Sequence, residues 1–438
     1  MHPKALLEAC SEMIAALLKF DAPADNIVSF FLRRHRELGP RERHTLAETA
    51  YAVLRRRLLY QHFAQSGSGP AERRLAIAGW SGDAGFLRAA LAPHELKWLE
   101  QIQAVDRSTL APKLRHNLPD WIAQPLQAQL GEEGFWALVA SLDEPAPLDL
   151  RVNVLKTKRE AAQAALAAAG IQALPTPYSP WGLRVQGRPA LQKLPLFVAG
   201  EVEVQDEGSQ LLALITQAKR GEMVVDFCAG AGGKTLALGA AMRNTGRLYA
   251  FDVAGHRLEA LKPRLARSGL SNVHPVQIAH ERDERIKRLA GKIDRVLVDA
   301  PCTGLGTLRR NPDLKARQDA EALKELNAKQ RSILAAAAAL VKPGGRLVYG
   351  TCSLLAEENE DIVTEFLSAH PDFKLVPVAE ILKRQGIRLE GSGDYLRLFP
   401  HIHDTDGFFA AVLERTKAGT QMAADKSAQM TSDGHPEQ

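Results

Sequence analysis

Two cysteines stand where a side chain could do chemistry. Cys302 lies in Asp299-Ala300-Pro301-Cys302-Thr303-Gly304, and Cys352 in Tyr349-Gly350-Thr351-Cys352-Ser353. Each follows an apolar run that reads as a strand. A lone cysteine usually becomes a core thiol. Two at equivalent positions past strand ends point to reactivity instead. A thiolate adding to carbon 6 of a pyrimidine makes carbon 5 enamine-like, so that carbon 5 can attack a methyl group on a sulfonium. The adduct then loses its carbon-5 proton and expels the thiol, which splits one hard step into easier ones. A carboxyl near ring nitrogen 3 helps offset charge in the adduct, and Asp299, three residues before Cys302, is placed for that. A free thiol has a pKa near ~8.5, so the attacking sulfur needs a favourable environment. On chemistry alone, either cysteine could attack.

A second group of residues suits a ligand. Asp226-Phe227-Cys228-Ala229-Gly230-Ala231-Gly232-Gly233-Lys234-Thr235 sits between a predicted strand and a predicted helix. Its glycines permit positive φ and a close approach of ligand to backbone. A phosphate-binding P-loop needs glycine five residues before Gly233, where Cys228 stands. A dinucleotide fingerprint needs glycine where Thr235 stands. Both patterns fail. What remains is an acid ending the first strand, a glycine turn, and an acid, Asp252, ending the second (YAFDV). A carboxylate there can accept hydrogen bonds from two ribose hydroxyls. This arrangement resembles that of a class I S-adenosylmethionine-dependent methyltransferase.

These residues need a scaffold that brings strand ends together. From Gly221 onward strand-like and helical segments alternate: MVVDFCA, KTLALGAAM, GRLYAFDV, GHRLEALKPRLARSG, IDRVLVDAP, AEALKELNAKQRSILAAAAALV and KPGGRLVYGTCS. Such alternation predicts an α/β fold with a parallel, doubly wound sheet. Ahead of it, residues 146–205 read as a small α+β domain (RVNVL, an Ala-rich helix ending at Gly170, GLRV). Residues 1–143 read as all-helical, with apolar residues at helical spacing such as Leu46, Ala50, Val53 and Leu54. The catalytic domain spans 206–414. From Arg415 bulky aliphatic residues almost vanish, which predicts a disordered tail over 415–438.

Composition bounds the partners. The chain has 438 residues, 45% hydrophobic and 24% charged, which suits a globular protein of several domains. No apolar run approaches the ~18 residues a membrane span needs. Charges interrupt the N-terminal apolar stretch, so no secretory signal is expected. Four cysteines without paired spacing predict no disulfide scaffold and no metal site, and suit the cytoplasm. Net charge is only +5, but residues 31–60 carry eight arginines against three glutamates. That basic cluster makes RNA the expected partner of the helical region. Arg309, Arg310 and Lys315, in the loop after Cys302, are candidates for RNA phosphates. Phe408 and Phe409 could stack on bases, but FFAAVL reads better as a core strand.

DFCAGAGGKT, FDV, DAPCTGLGT, RRNPDLK and YGTCSLLAEENE, with RVNVLK, QDEGSQL and the closing DGFFAAVL, resemble the successive motifs of the Nol/Nop/Sun family of RNA cytosine-5 methyltransferases. The resemblance covers about residues 146–414. It implies a class I methyltransferase fold and S-adenosyl-L-methionine as cofactor. It also implies methylation of carbon 5 of a cytosine in RNA, with ribosomal RNA favoured over transfer or messenger RNA and over a non-catalytic assembly factor. It assigns Cys352 as the nucleophile and Cys302 to product release. It places Cys228, Ala229, Gly230, Ala231, Gly232, Gly233 and Lys234 along the cofactor, Asp252 on the ribose, and Asp299 beside both methyl donor and base. The helical region resembles the NusB-like extension of the family's bacterial 16S ribosomal RNA enzymes, on length, helicity and basic character. The chain departs from the pattern at one point. The family's adenine-contacting Asp, near the end of the strand before that of Asp299, falls in Val276-Gln277-Ile278-Ala279-His280-Glu281, where Ala279 or His280 stands instead.

Overall fold

The computed structural model describes residues 1–417, which form two units. The first holds residues 1–145 together with 307–322, and the second holds the rest of the described chain.

The first unit is helical, from Pro3–Leu17 to Asp120–Leu142. Its core follows from the apolar spacing. Pro3–Leu17 buries Leu6, Leu7, Cys10, Met13, Ile14 and Leu17, and Pro40–Arg55 buries Leu46, Ala50, Val53 and Leu54. One stripe of each helix is thereby removed from water, at roughly 1.5–3 kcal/mol per large aliphatic side chain. Residues 307–322, read from sequence as part of the catalytic domain, pack with these helices instead. The Asp313 carboxylate accepts from the Ala24 N–H, which opens the helix Ala24–Arg34.

The second unit contains two sheets. β1 (Leu148–Val152), β2 (Ala173–Pro175), β3 (Gly182–Val185) and β4 (Val202–Val204) form an antiparallel sheet in the order β2-β3-β1-β4. The larger sheet is built from β5 (Met223–Asp226), β6 (Arg247–Asp252), β7 (Val273–Gln277), β8 (Ile293–Asp299), β9 (Val341–Thr351), β10 (Phe373–Val376), β11 (Tyr395–Leu398) and β12 (Phe408–Arg415). Its order is β10-β12-β9-β8-β5-β6-β7, with β11 paired to β12. β5 to β9 are parallel, and their runs such as Val296-Leu297-Val298 are buried on both faces. The expected parallel, doubly wound sheet is extended at the other edge by β10, β11 and β12, which are antiparallel. Chain order reverses between β5 and β8, and such a switch point opens a crevice at the strands' carboxyl ends.

The predicted tail begins too early. Arg415 ends β12, pairs with Phe373, and its Nε donates to Asp372 at 2.8 Å. The rest of that segment, beyond 417, lies outside the described residues. Among the described residues no helix is long and apolar enough to cross a membrane.

Candidate active site

A cavity of about 740 Å³ lies along the carboxyl ends of β9, β8, β5, β6 and β7. That volume suits a nucleoside-sized ligand. Its lining follows the strand order, from Cys352 after β9, through Asp299 and Cys302, the turn after β5 and Asp252, to Ile278 and Glu281 after β7.

The turn after β5 brings Cys228, Ala229, Gly230, Ala231, Gly233 and Lys234 to the cavity wall. Gly232 does not line it. That glycine has φ +82°, and a Cβ there would lie 2.1 Å from Leu261, so only glycine lets the helix Gly233–Ala241 start so close. Asp252 is buried behind the turn. Its Oδ2 accepts from the Gly230 N–H at 2.8 Å and its Oδ1 from the Ala254 N–H at 2.7 Å. Each oxygen keeps a lone pair, so the carboxylate is oriented and still able to receive hydroxyls. Asp226 serves the scaffold. It accepts from Thr235 Oγ1 at 2.7 Å, and burial pushes its pKa up to about 7.

At the other end Cys302 Sγ and Cys352 Sγ are 3.4 Å apart. The hydrogen bond to Cys352, then burial, raises Cys302 well above an ordinary thiol. Cys228 is raised too, by burial. Lys234 Nζ donates to Asp299 Oδ2 at 2.7 Å and stands 5.4 Å from the centroid of the Phe408 ring. Burial works against the Lys234 charge, but Asp299 outweighs it and holds the ammonium above the usual lysine range.

Both cysteine loops are tied to one buried residue, Glu358. Glu358 accepts from the Thr303 N–H at 2.9 Å, from Thr303 Oγ1 at 2.5 Å and from Gln330 Nε2 at 3.0 Å, while its carbonyl accepts from Tyr349 Oη at 2.7 Å. Asn359 binds Thr351 and the Ser353 carbonyl. Sequence reasoning passed over these residues and over the Lys234–Asp299 pair. The EEN of YGTCSLLAEENE was the available signal for Glu358 and Asn359, whereas Gln330 lies on an alanine-rich helix with none.

Other expectations land elsewhere. Phe408 and Phe409 are 6% and 2% exposed and belong to the core. Lys315, predicted as a phosphate ligand, lies in the helical unit. Its ammonium donates to the Arg55 carbonyl at 2.6 Å and the Asn117 carbonyl at 3.2 Å. The Arg309 carbonyl accepts from Arg55, and the Arg309 side chain is buried.

This fold and this site define an S-adenosylmethionine-dependent methyltransferase of class I. Comparison with known proteins makes the class particular. Residues 213–414 match the family described as 16S rRNA methyltransferase RsmB/F, and residues 118–192 match the RsmF/B-like ferredoxin-like domain. The probable ribosomal RNA small subunit methyltransferase B of Synechocystis sp. is 35% identical over 312 residues, 71% of this chain and 70% of that protein. Two crystal structures are similar. That of PH0851 has a TM-score of 0.76 and 27% identity over 94% of this chain and 98% of its own. That of a methyltransferase homologue from Pyrococcus horikoshii has a TM-score of 0.60 and 30% identity over 71% of this chain and 100% of its own. The chain belongs to the RsmB/F family of RNA methyltransferases, and its cofactor is S-adenosylmethionine.

Proposed function

We propose that this enzyme methylates carbon 5 of a cytosine in small-subunit ribosomal RNA through a covalent adduct. The observation that carries this reading is the pair of sulfurs 3.4 Å apart, beside the Lys234–Asp299 ion pair, at one end of the cofactor cavity. Cysteines held for packing alone would not share the cavity wall with a buried lysine and a strand-end aspartate. Names carried by relatives, such as the Synechocystis protein, support ribosomal RNA as the substrate class.

Each residue then has a task. The Cys352 thiolate adds to carbon 6 of the ring. Asp299 faces the ring edge and offsets charge that develops at nitrogen 3. S-adenosylmethionine, when bound, supplies an electrophilic methyl group for carbon 5. Asp252 holds ribose, and the Cys228–Lys234 turn fits the chain of the donor. Release requires withdrawal of the carbon-5 proton by a base and departure of Cys352 as thiolate, and Cys302 is close enough to the leaving sulfur to assist. The target base must be single-stranded or flipped out, because a stacked ring hides carbon 6. The basic helical unit is assigned to RNA binding.

The two cysteine variants should differ in kind. Cys352→Ala cannot form the adduct and should lose methylation entirely. Cys302→Ala can still add and transfer, but stalls before release and should accumulate a protein–RNA complex. Denaturing gels with labelled RNA should show a retarded band for Cys302→Ala only. A band for Cys352→Ala instead would reverse the assignment. Methylation retained by both, with no adduct, would sink covalent catalysis by this pair. Bisulfite sequencing of RNA from cells with and without the protein identifies the cytosine.

A further inference from the structure

The departure at the end of β7 has a structural answer. A ligand whose sulfur faces Cys352 and Asp299, and whose ribose lies at Asp252, carries its base onward to the next strand end. There the Ile278 N–H donates to the Asp252 carbonyl at 3.1 Å, so the β7 end lies directly beside the ribose carboxylate. Ile278 and Ile333 line this end and belong with Phe227 and Ala300 to one apolar cluster, a surface for the flat faces of a purine. Adenine also presents an exocyclic amine, a donor that loses affinity if it is buried without an acceptor.

Few carboxylates can serve it. Ala279 has no side-chain acceptor, and His280 is exposed. Asp283 is committed to its own loop: Oδ2 accepts from the Ala279 N–H at 3.0 Å and Oδ1 from the Arg285 N–H at 2.9 Å. Glu281 is different. It lines the cavity, and its Oε1 accepts from Ser332 Oγ at 2.6 Å. Ser332 is next to Ile333 on the helix Ala320–Ala338, so one helix supplies both the apolar wall and the hydroxyl that orients the carboxylate. That hydrogen bond also holds Glu281 below the usual carboxylate range, which keeps it an acceptor.

We propose that Glu281, positioned by Ser332, accepts the hydrogen bond of the adenine amino group and sets the enzyme's preference for an adenosyl cofactor. The proposal rests on the cofactor assignment and adds the residue that reads the base. It predicts discrimination against a base that carries a carbonyl in place of the amine, since two acceptors would then face each other.

The test is calorimetry on the full-length protein with S-adenosylhomocysteine and S-inosylhomocysteine. A charge-assisted hydrogen bond corresponds to about ten-fold or more in affinity. The wild-type protein should favour the adenosyl compound by about that factor. Glu281→Ala should lose the preference by binding the adenosyl compound more weakly. Glu281→Gln, whose amide can turn to donate, should gain affinity for the inosyl compound, and Ser332→Ala should lose part of the preference. Full discrimination in Glu281→Ala would overturn the proposal, as would an equal loss for both compounds, which would mean that Glu281 only supports the loop. A preference that vanishes in Asp283→Asn with Glu281 intact would also overturn it. A wild-type protein that binds neither compound would remove the cofactor assignment itself, and the proposal with it.

Discussion

Asp226 and Asp252 end adjacent parallel strands, yet their surroundings separate them. Asp226 is fully buried, and its Oδ1 has no hydrogen-bond partner among the described residues. A carboxyl whose pKa rises on folding binds its proton more tightly in the native state. Its contribution is complete below the unfolded value of 3.8 and is lost as pH rises to about 7. Asp226→Asn keeps an acceptor for Thr235 and carries no charge. Near pH 3.5 the variant should therefore match wild type, and at pH 8 it should be the more stable, by about 4 kcal/mol at roughly 1.4 kcal/mol per pKa unit. Urea midpoints at the two pH values measure this, and a difference that does not change with pH would mean Asp226 folds as a carboxylate. Asp252, held by two N–H groups, keeps oxygens for a ligand. Asp252→Ala should weaken S-adenosylhomocysteine binding by about 1.5–3 kcal/mol for each hydroxyl contact removed, and unchanged affinity in calorimetry would take the ribose away from it. Both aspartates are legible in the sequence because a strand-to-turn boundary marks each. The Lys234–Asp299 bond is not, because it joins residues 65 positions apart across neighbouring strands, and strand order is not written in an alternating pattern.

At the scale of elements, the small sheet and the helix Gly255–Ser268 grip the glycine turn from outside the cavity. Buried Arg151 of β1 donates to Gln205 and, at 2.6 Å, to the Gly233 carbonyl. Arg264 donates to the Ala231 carbonyl at 2.6 Å. Glu203 of β4 holds Arg264 at 3.1 Å and also binds Arg267. The Gly230 N–H donates to Asp252 while the Ala231 and Gly233 carbonyls are taken by arginines, which together fix the orientation of the turn. Glu203→Gln removes the charge that balances two arginines and should cost about 2–3 kcal/mol of stability in urea unfolding, below the range for breaking a fully buried pair because the arginines are partly exposed. A loss under about 0.5 kcal/mol would show that water replaces Glu203 and that the turn stands without it. The segment RVNVL was readable as a strand, but its contact with the turn was not, because pattern reading locates a strand without telling what its end touches. The antiparallel β12 was hidden for a related reason: burial on both faces looks the same in either direction.

For the whole molecule, the distribution of positive charge bears on the RNA binding proposed for the helical unit. The arginine cluster predicted from sequence divides in two once its partners are known. Arg55 donates to the Arg309 carbonyl, Arg56 pairs with Asp143 at 3.3 Å, and Arg57 donates to Gln61 and covers the Phe20 ring at 5.4 Å. These three hold the helical unit together. Arg33, Arg34, Arg36 and Arg41 are exposed, and Arg34 stands 5.6 Å from the ring of Phe30, itself 56% exposed. A basic run reads the same in sequence whether its charges meet carbonyls or phosphates, so this division needed the fold. Each phosphate contact releases counterions, and the log–log salt slope of binding falls by about 0.7–0.9 per contact. Replacing Arg33, Arg34, Arg36 and Arg41 by glutamine should therefore make the slope shallower by about 3, with little change in stability. Replacing Arg55, Arg56 and Arg57 should do the opposite, lowering the urea midpoint and leaving the slope nearly unchanged in protein that remains folded. Filter binding to ribosomal RNA fragments from about 50 to 300 mM salt separates the two sets. A slope that moves with the second set and not the first would place the RNA on the inner arginines and overturn this division of charge.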